Sequence, residues 1–471
     1  MTNVRVRFAP SPTGNLHIGS IRSAIFNWLY ARHTNGVFLL RIEDTDVQRS
    51  TQAFLDSQLA SLKWFGLESQ EPLVYQLSRA QEHRNIAQEL IAQGLAYRCF
   101  CTARNSEDVV AQLDKGVGHV YDKACRNKKV TEEDLQKPYA IRFKIPDNIE
   151  MIAFNDVIRG KISIKADQLD DFIIVRSDGT PIYNFCVVVD DIYQRITHIL
   201  RGEEHIPNTF KQVLIYRALG AQEPVFAHVP LILGKSGNKL SKRDASVSVD
   251  EYRVNGYMPE ALLNYLVRLG WSHGDQEIFT QDELIQFFEL KDIGKKGAIF
   301  DSQKLDWVNS MYIRNASYDR LLECFGHMSV QRLEQLKMLW SQEELVKLIE
   351  QYKQRAVTLR QLSDDIIALA YDPENYDLSA IAKWRTDNTK KLLEDFINTF
   401  VACDKTGLSC TLLQAQAQEL CAQYSEKLVN LAQPLRLALT GKIQSPGVFE
   451  LIEILGKEKA LKRINALNEK L

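Results

Sequence analysis

The 471-residue sequence contains no long apolar run. Nowhere do hydrophobic residues approach the roughly 18 consecutive positions that a membrane-spanning helix requires. The opening MTNVRVRFAP also lacks the apolar stretch of a secretory signal. Charge of one sign is missing too: 58 Lys and Arg face 60 Asp and Glu, for a net charge of −2. The chain as a whole is therefore no electrostatic magnet for nucleic acid, and any such site must be a local patch. Eight cysteines in this length are too few for a disulfide scaffold. Cys186, Cys324, Cys403, Cys410 and Cys421 are scattered and read as small buried hydrophobes. There is no internal repeat and no low-complexity segment. What is left is a cytoplasmic globular protein with no membrane partner, long enough for about three domains.

Only 13 prolines occur, and two of them fall in RFAPSPTGNLHIGS, residues 7–20. The preceding VRVRF alternates Val4, Val6 and Phe8 with Arg5 and Arg7, a short strand. After the loop, Ile18, Ile21, Ile25, Trp28 and Leu29 recur at helical spacing until Asn35-Gly36 stops the helix. VFLLRI then forms a buried strand ending at Glu43, Asp44 and Asp46. Strand, glycine-containing turn, helix and strand make one βαβ unit, the opening of a doubly wound parallel sheet. The turn sits where a helix start offers unpaired N–H groups to a phosphate. There Gly14 would let the loop close, Gly19 would let a ligand approach the backbone, and His17 would add an imidazole donor.

Farther along, residues 97–180 change character. Three close cysteines, the charged RNKKVTEEDLQK, and the β-like YAIRFKI and DDFIIVR read as an α+β insertion. YNFCVVVDD and ITHILRGEEH resume a sheet-like pattern, and FKQVLIYRALG is helical. Beyond about residue 320 the strand signals fade. RLEQLKMLWSQEELVKLIEQYKQR and TLLQAQAQELCAQYSEKLVNLAQPLRLAL carry the 3.6-residue period of amphipathic helices.

Between these regions GKSGNKLSKRD (234–244) is too polar for core, and by itself reads as a solvated basic loop. Beside a His-x-Gly helix start it becomes complementary. One element would orient a nucleotide, and loop lysines would stabilise the charge of a departing pyrophosphate. PSPTGNLHIGS and KLSKR resemble the two signature motifs of class I aminoacyl-tRNA synthetases. RFAPSPTG, LRIEDTD, PIYNFCVVVDD, ILRGEEH, YMPEALLNYLVRLGWS, FDSQKLDWVN and SPGVFELIEILGKE resemble the bacterial-type glutamyl branch in particular. The likeness runs from near residue 4 to beyond 460. It departs at Ser20, where the class often has a second histidine.

The resemblance implies a Rossmann-type catalytic domain in two segments, 1–80 and 186–238, with an acceptor-binding insertion at 81–185. A stem-contacting region at 239–320 would carry KLSKR, and an all-helical anticodon-binding region would span 321–471. It implies ligation of L-glutamate to tRNA-Glu, with tRNA-Gln as a second acceptor left open, by a monomer using ATP and Mg2+. Glutamate would be bound by Arg7, Ala9, Ser11, Glu43, Tyr183 and Arg201. Its two carboxylates and one ammonium call for two cations and an anion: Arg7 for the side chain, Arg201 for the α-carboxylate, Glu43 for the ammonium. His17, Gly19, Glu204, Lys239 and Lys242 would bind ATP, with His17 and Lys242 catalytic. Asp44 and Asp46 read as loop or cap residues. A glutaminyl-tRNA synthetase and an idle tRNA-binding protein on the same scaffold are the competing readings. The first typically ends in β-barrels, which this helical C-terminus opposes.

Cys99-x-Cys101 and Cys125 resemble the zinc knob of some relatives, and three thiols with one further ligand would close a tetrahedral structural site. Tyr121 and His119 are both open as that ligand, because Arg126-Asn127 stands where some relatives have Cys-x-His. The turn Ser445 to Phe449 corresponds to a segment that lies near the anticodon in the family; read alone, it is equally a buried turn.

Overall fold

Strand β1 (Arg5–Phe8) and strand β2 (Val37–Ile42) pair in parallel around helix α1 (Ile18–His33), the βαβ unit expected from the hydrophobic pattern. The protein is described here from a computed structural model covering residues 3–101, 121–238, 240, 248–402 and 409–471. Helix α2 (Gln52–Trp64), N-capped by the Thr51 hydroxyl, leads to the two-residue strand β3 (Val74–Tyr75), which extends the sheet beyond β2. On the other side of β1, Thr197 N donates to Arg5 O at 3.0 Å just ahead of strand β9 (His198–Gly202). β9 pairs in parallel with β10 (Val225–Val229).

The segment between these halves holds helix α3 (Ala80–Ala92) and an antiparallel sheet of β4 (Ala96–Cys99), β5 (Ala140–Phe143) and β8 (Ile173–Val175). The short helix α4 (Glu132–Leu135), closed by a Thr131–Asp134 capping box, lies between β4 and β5 in the chain. The hairpin of β6 (Met151–Asp156) and β7 (Gly160–Lys165) pairs instead with β10, so this part of the expected insertion extends the sheet of β9 and β10.

YNFCVVVDD, expected to be sheet-like, is helix α5 (Tyr183–Tyr193). Phe185 to Asp191 are all buried, so the helix is covered around its whole circumference and the apolar residues mark no single face. A short buried helix and a buried strand look alike under those conditions, and three consecutive valines favour the wrong choice. ITHILRG is a strand as expected. Helix α6 (Ile206–Ala218) follows, with Pro207 in its first turn where a missing N–H costs nothing.

Two compact units emerge, residues 1–251 with 262–302 and residues 252–261 with 303–471. Among the described residues after 302 there is no strand. Serine and threonine caps start many of those helices, among them Ser317, Ser329, Ser341, Thr358 and Ser409. Among the described residues no helix is long and apolar enough to cross a membrane.

Candidate functional site

The proline-rich loop is held from below. Gln58 on α2, buried, donates to Ser11 O at 3.0 Å and to Gly14 O at 2.7 Å. Glu43 N bonds Pro10 O, Thr51 N bonds Pro12 O, and Val249 N bonds Leu16 O. Three separate segments thus fix one loop, which leaves its upper face as the wall of a cavity. Gly14 adopts no left-handed conformation, and a Cβ there would meet nothing within 4 Å. Loop closure therefore rests on these hydrogen bonds rather than on that glycine. At Gly19 a Cβ would come within 3.1 Å of the His17 ring, so the missing side chain makes room for the imidazole.

The cavity, about 760 Å³, opens where β1, β2, β9 and β10 end. That is the switch-point position at which open parallel sheets bind ligands. Arg7, Ala9, Ser11, His17, Gly19, Glu43, Tyr183, Arg201 and Glu204 all line it, with Arg22, His205 and Asn208. Residues 176 positions apart in sequence (7 and 183) therefore share one space.

Its floor is charged and buried. Arg7 donates through Nε and Nη2 to the Asp191 carboxylate, at 3.0 and 3.2 Å. Arg41, fully buried, donates to the same carboxylate at 2.6 Å and to Gln194 Oε1 at 2.9 Å. Arg41 Nη2 also lies 3.8 Å from Glu43. Burial would push the Asp191 carboxyl up, but Arg41 and Arg7 outweigh it and hold it below its ordinary value. For Glu43 burial wins: its carboxyl rises to about 7 in spite of Arg41, Arg7 and Arg201. Among the described residues no carboxylate hydrogen-bonds Arg201. Its Nε and Nη2 go to His228, Thr209 and Gln212, and its buried Nη1 has no partner. Three guanidiniums thus face two carboxylates. Such a site is one negative charge short and keeps an unused donor for it.

At the other end His17 caps α1, its Nδ1 accepting from Ser20 N at 3.2 Å, with Ser20 Oγ 2.8 Å from Nε2. Ser20, the departure from the class motif, thus touches the histidine that precedes it. Of the GEE doublet, Glu203 is held by Arg159 and by Leu231 N, whereas Glu204 lines the cavity. Asp44 accepts from Leu77 N and Asp46 pairs with Arg49, the loop roles expected of them. Lys239 and Lys242 lie outside the described residues, as does His119.

Apart from this cavity, Cys99, Cys101 and Cys125 place their sulfurs within 4.8 Å of one another. Cys101 and Cys125 are 3.6 Å apart, and the Tyr121 hydroxyl lies 3.5 Å from Cys99 Sγ. Tetrahedral zinc with bonds of about 2.3 Å separates its sulfurs by about 3.8 Å, so the three thiols fit one such ion. Arg142 fixes two of the four groups, its Nε on Cys99 at 3.4 Å and its guanidinium 3.7 Å above the Tyr121 ring. Of the scattered cysteines, Cys186, Cys324 and Cys421 are buried as expected and Cys410 only partly; Cys403 is not among the described residues.

Asp191, Arg41, Gln58 and His228 escaped the sequence reading. Asp191 had a signal: a carboxylate doublet ending an otherwise apolar run requires buried cations.

Comparison with known proteins agrees with this geometry. Residues 3–307 match the family model of the catalytic domain of class I tRNA synthetases (E and Q), and residues 320–467 match an anticodon binding domain. The chain is 41% identical over 470 residues to the glutamate–tRNA ligase of Pelobacter propionicus, covering 100% of this chain and 99% of that one. It is 42% identical over 464 residues to that of Thermodesulfovibrio yellowstonii, covering 98% of each. Its fold is similar to the crystal structure of a glutamate tRNA ligase from Elizabethkingia meningosepticum in complex with its amino acid. The TM-score is 0.87 at 33% identity, over 99% of both chains. The chain belongs to the glutamate–tRNA ligase family of class I tRNA synthetases.

Proposed function

We propose that this protein is a glutamate–tRNA ligase, acting as a cytoplasmic monomer. It joins the α-carboxylate of L-glutamate to the α-phosphate of ATP, releasing pyrophosphate, and the 3′-terminal ribose hydroxyl of tRNA-Glu then takes the glutamyl group from the adenylate, releasing AMP. One observation carries the reading: a buried cluster of three guanidiniums (Arg7, Arg41, Arg201) and two carboxylates (Asp191, Glu43), of which Arg7, Arg201 and Glu43 line the cavity, with Arg201 Nη1 making no hydrogen bond among the described residues. Glutamate, with a net charge of −1, completes that balance. Glutamine, which is neutral, would leave one guanidinium uncompensated in a desolvated site. In this reading Arg7 takes the side-chain carboxylate, Arg201 the α-carboxylate and Glu43 the ammonium, while Tyr183, Ala9 and Ser11 shape the walls. His17, Gly19 and Glu204 bind ATP with Lys239 and Lys242, and magnesium arrives as the counter-ion of the phosphates.

The anticodon would be read in the helical unit. There the Ser445-Pro446 turn is buried, with Ser445 O accepting from Arg355 at 2.5 Å and Ser445 Oγ from Arg436 at 3.0 Å. It borders a cavity of about 220 Å³ that Arg355, Gln444 and Lys442 also line. Aminoacylation of purified tRNA-Glu and tRNA-Gln, side by side, with labelled glutamate and glutamine tests the assignment. Glutamate on tRNA-Glu is expected. Glutamine on either tRNA, or no transfer, would overturn it, and glutamate on tRNA-Gln would settle the second acceptor.

The raised Glu43 carboxyl has a readable effect. An ammonium needs the ionised form, so glutamate KM should fall as pH rises through about 7. The charges facing Glu43 are Arg41, Arg7, Asp191 and Arg201. Glu43→Gln should weaken glutamate binding and flatten this profile. Because the folded pKa lies above the ordinary 4.5, the native state binds the extra proton, and stability falls as pH rises from about 4.5 to about 7. The variant should therefore melt higher than the parent at about pH 8 in the absence of glutamate. An unchanged pH profile together with an unchanged melting temperature would remove Glu43 from this role.

We also propose that Cys99, Cys101, Cys125 and Tyr121 hold one structural zinc ion. Bound there, the metal would cross-link the chain at the end of β4 to the segment around Cys125 and take no part in the chemistry. Protein purified without chelator should contain about one zinc per chain. Cys101→Ser should lose it and become more sensitive to proteolysis between residues 97 and 130, a result that metal-free parent protein of full activity would contradict.

A further inference from the structure

Arg7 and Arg201 are held in opposite ways. Arg7 leans on a carboxylate of its own, Asp191, which two guanidiniums share. Among the described residues Arg201 is held only by neutral acceptors: His228 Nε2 at 3.2 Å from its Nε, with Thr209 Oγ1 at 2.7 Å and Gln212 Oε1 at 2.6 Å from its Nη2. Behind His228 stands Asp156, at the end of β6. The side chains of His228 and Asp156 are both wholly buried.

The hydrogen-bond inventory fixes the protons. Asp156 Oδ1 accepts from Ile158 N and Arg159 N, both at 2.9 Å. Its Oδ2 accepts from His228 N at 2.9 Å and lies 2.7 Å from His228 Nδ1. These four nitrogen contacts, with burial opposed by His228 and the backbone donors, keep Asp156 ionised and its carboxyl below the ordinary value. A carboxylate only accepts, so Nδ1 carries a hydrogen. Burial pulls the His228 pKa down, which leaves the ring neutral and Nε2 bare. An arginine is always protonated, and Arg201 Nε–H points its hydrogen at that nitrogen, with the Thr209 hydroxyl a second neighbour at 3.0 Å. The other tautomer would set N–H against N–H.

We infer that His228, locked in its Nδ1–H tautomer by Asp156, is a positioning residue for glutamate recognition: it orients Arg201 so that Nη1 alone is left for the α-carboxylate. The inference rests on the reading of Arg201 as the α-carboxylate ligand. Its chemical logic is that a carboxylate placed directly on Arg201 would neutralise the guanidinium and compete with the substrate. An imidazole interposed between Asp156 and Arg201 fixes direction while leaving the charge unspent.

The test uses the full-length protein and tRNA-Glu. His228→Leu should raise glutamate KM roughly 10- to 100-fold, the scale of a lost hydrogen bond to a charged group. ATP KM and kcat should stay within about threefold of the parent. His228→Gln, whose Oε1 reaches the position of Nε2 and can accept from Arg201, should restore glutamate KM to within about threefold of the parent. Equal defects in the two variants, or no change in His228→Leu, would overturn the inference. Arg201→Gln is the control: if it leaves glutamate KM unchanged, the reading of the pocket fails rather than the role of His228. Should His228→Leu not fold, long-range nitrogen–proton correlation on the parent protein decides the matter. The neutral Nδ1–H tautomer is expected, and an Nε2–H tautomer or an imidazolium would refute the inference.

Discussion

Arg7→Ala should lower kcat/KM for glutamate by about 2–5 kcal/mol of recognition energy, roughly 30-fold to several thousandfold, with little change in KM for ATP. The substrate's side-chain carboxylate would enter a dry pocket and find no partner, which is the costlier half of breaking an ion pair. The fold should survive, because Arg41 stays on Asp191 at 2.6 Å and keeps that carboxylate paired after Arg7 is gone. Selectivity should fall with affinity, since the charge that separates glutamate from its neutral analogues has been removed. Arg7→Lys should recover only part of the loss, because an ammonium cannot reproduce the two-nitrogen grip that Arg7 has on Asp191. Thermal melting beside steady-state aminoacylation separates the two effects. A variant that melts like the parent and activates glutamate at the parental rate and KM would place the side-chain subsite elsewhere.

That result would bear on residues whose position could be read from the sequence, and the contrast with those that could not is physical. Arg7 stands at the end of a strand that alternates plainly, before a loop dense in turn residues, and the motif places Glu43 and Arg201 at two further strand ends. All three line the cavity, with Tyr183 and Glu204. Their partners were hidden. Arg41 sits in VFLLRI, an apolar run in which one charge names no partner. Yet a parallel sheet is covered on both faces, and Arg41 is fully buried. Its partner Asp191 is 150 residues away in a helix mistaken for a strand. Asp156 and His228 meet across 72 residues, on adjacent strands whose pairing no local pattern announces. Hydrophobic period reports which face of one element is covered, whereas the pairing of buried charges is a property of two elements at once. Gln58 is a milder instance. A glutamine on an amphipathic helix carries no sign that it will hold a loop more than 40 residues upstream.

Lys242→Ala should slow glutamyl-adenylate formation by roughly two orders of magnitude or more while leaving glutamate binding close to the parental value. In-line attack on the α-phosphate turns pyrophosphate into a leaving group, and the negative charge that gathers on it needs cations in the transition state. The described wall of the cavity is short of them. In the proposed reading Arg7 and Arg201 serve the glutamate end. Arg22 donates to the Leu269 and Pro230 carbonyls, and burial pulls its pKa down to about 10. Near the start of α1 the described lining offers His17, Ser20 and backbone, none of which carries a fixed positive charge. We propose that the missing charge comes from the KLSKR segment, of which Leu240 lines the cavity. A lysine that acts only on charge developing during reaction contributes to rate and not to ground-state affinity. Rapid-quench measurement of adenylate in the presence of tRNA, with glutamate and ATP varied separately, distinguishes these effects. A Lys242→Ala protein with the parental chemical rate and a raised glutamate KM would mean that the lysine holds the amino acid, and the pyrophosphate charge would then need another source.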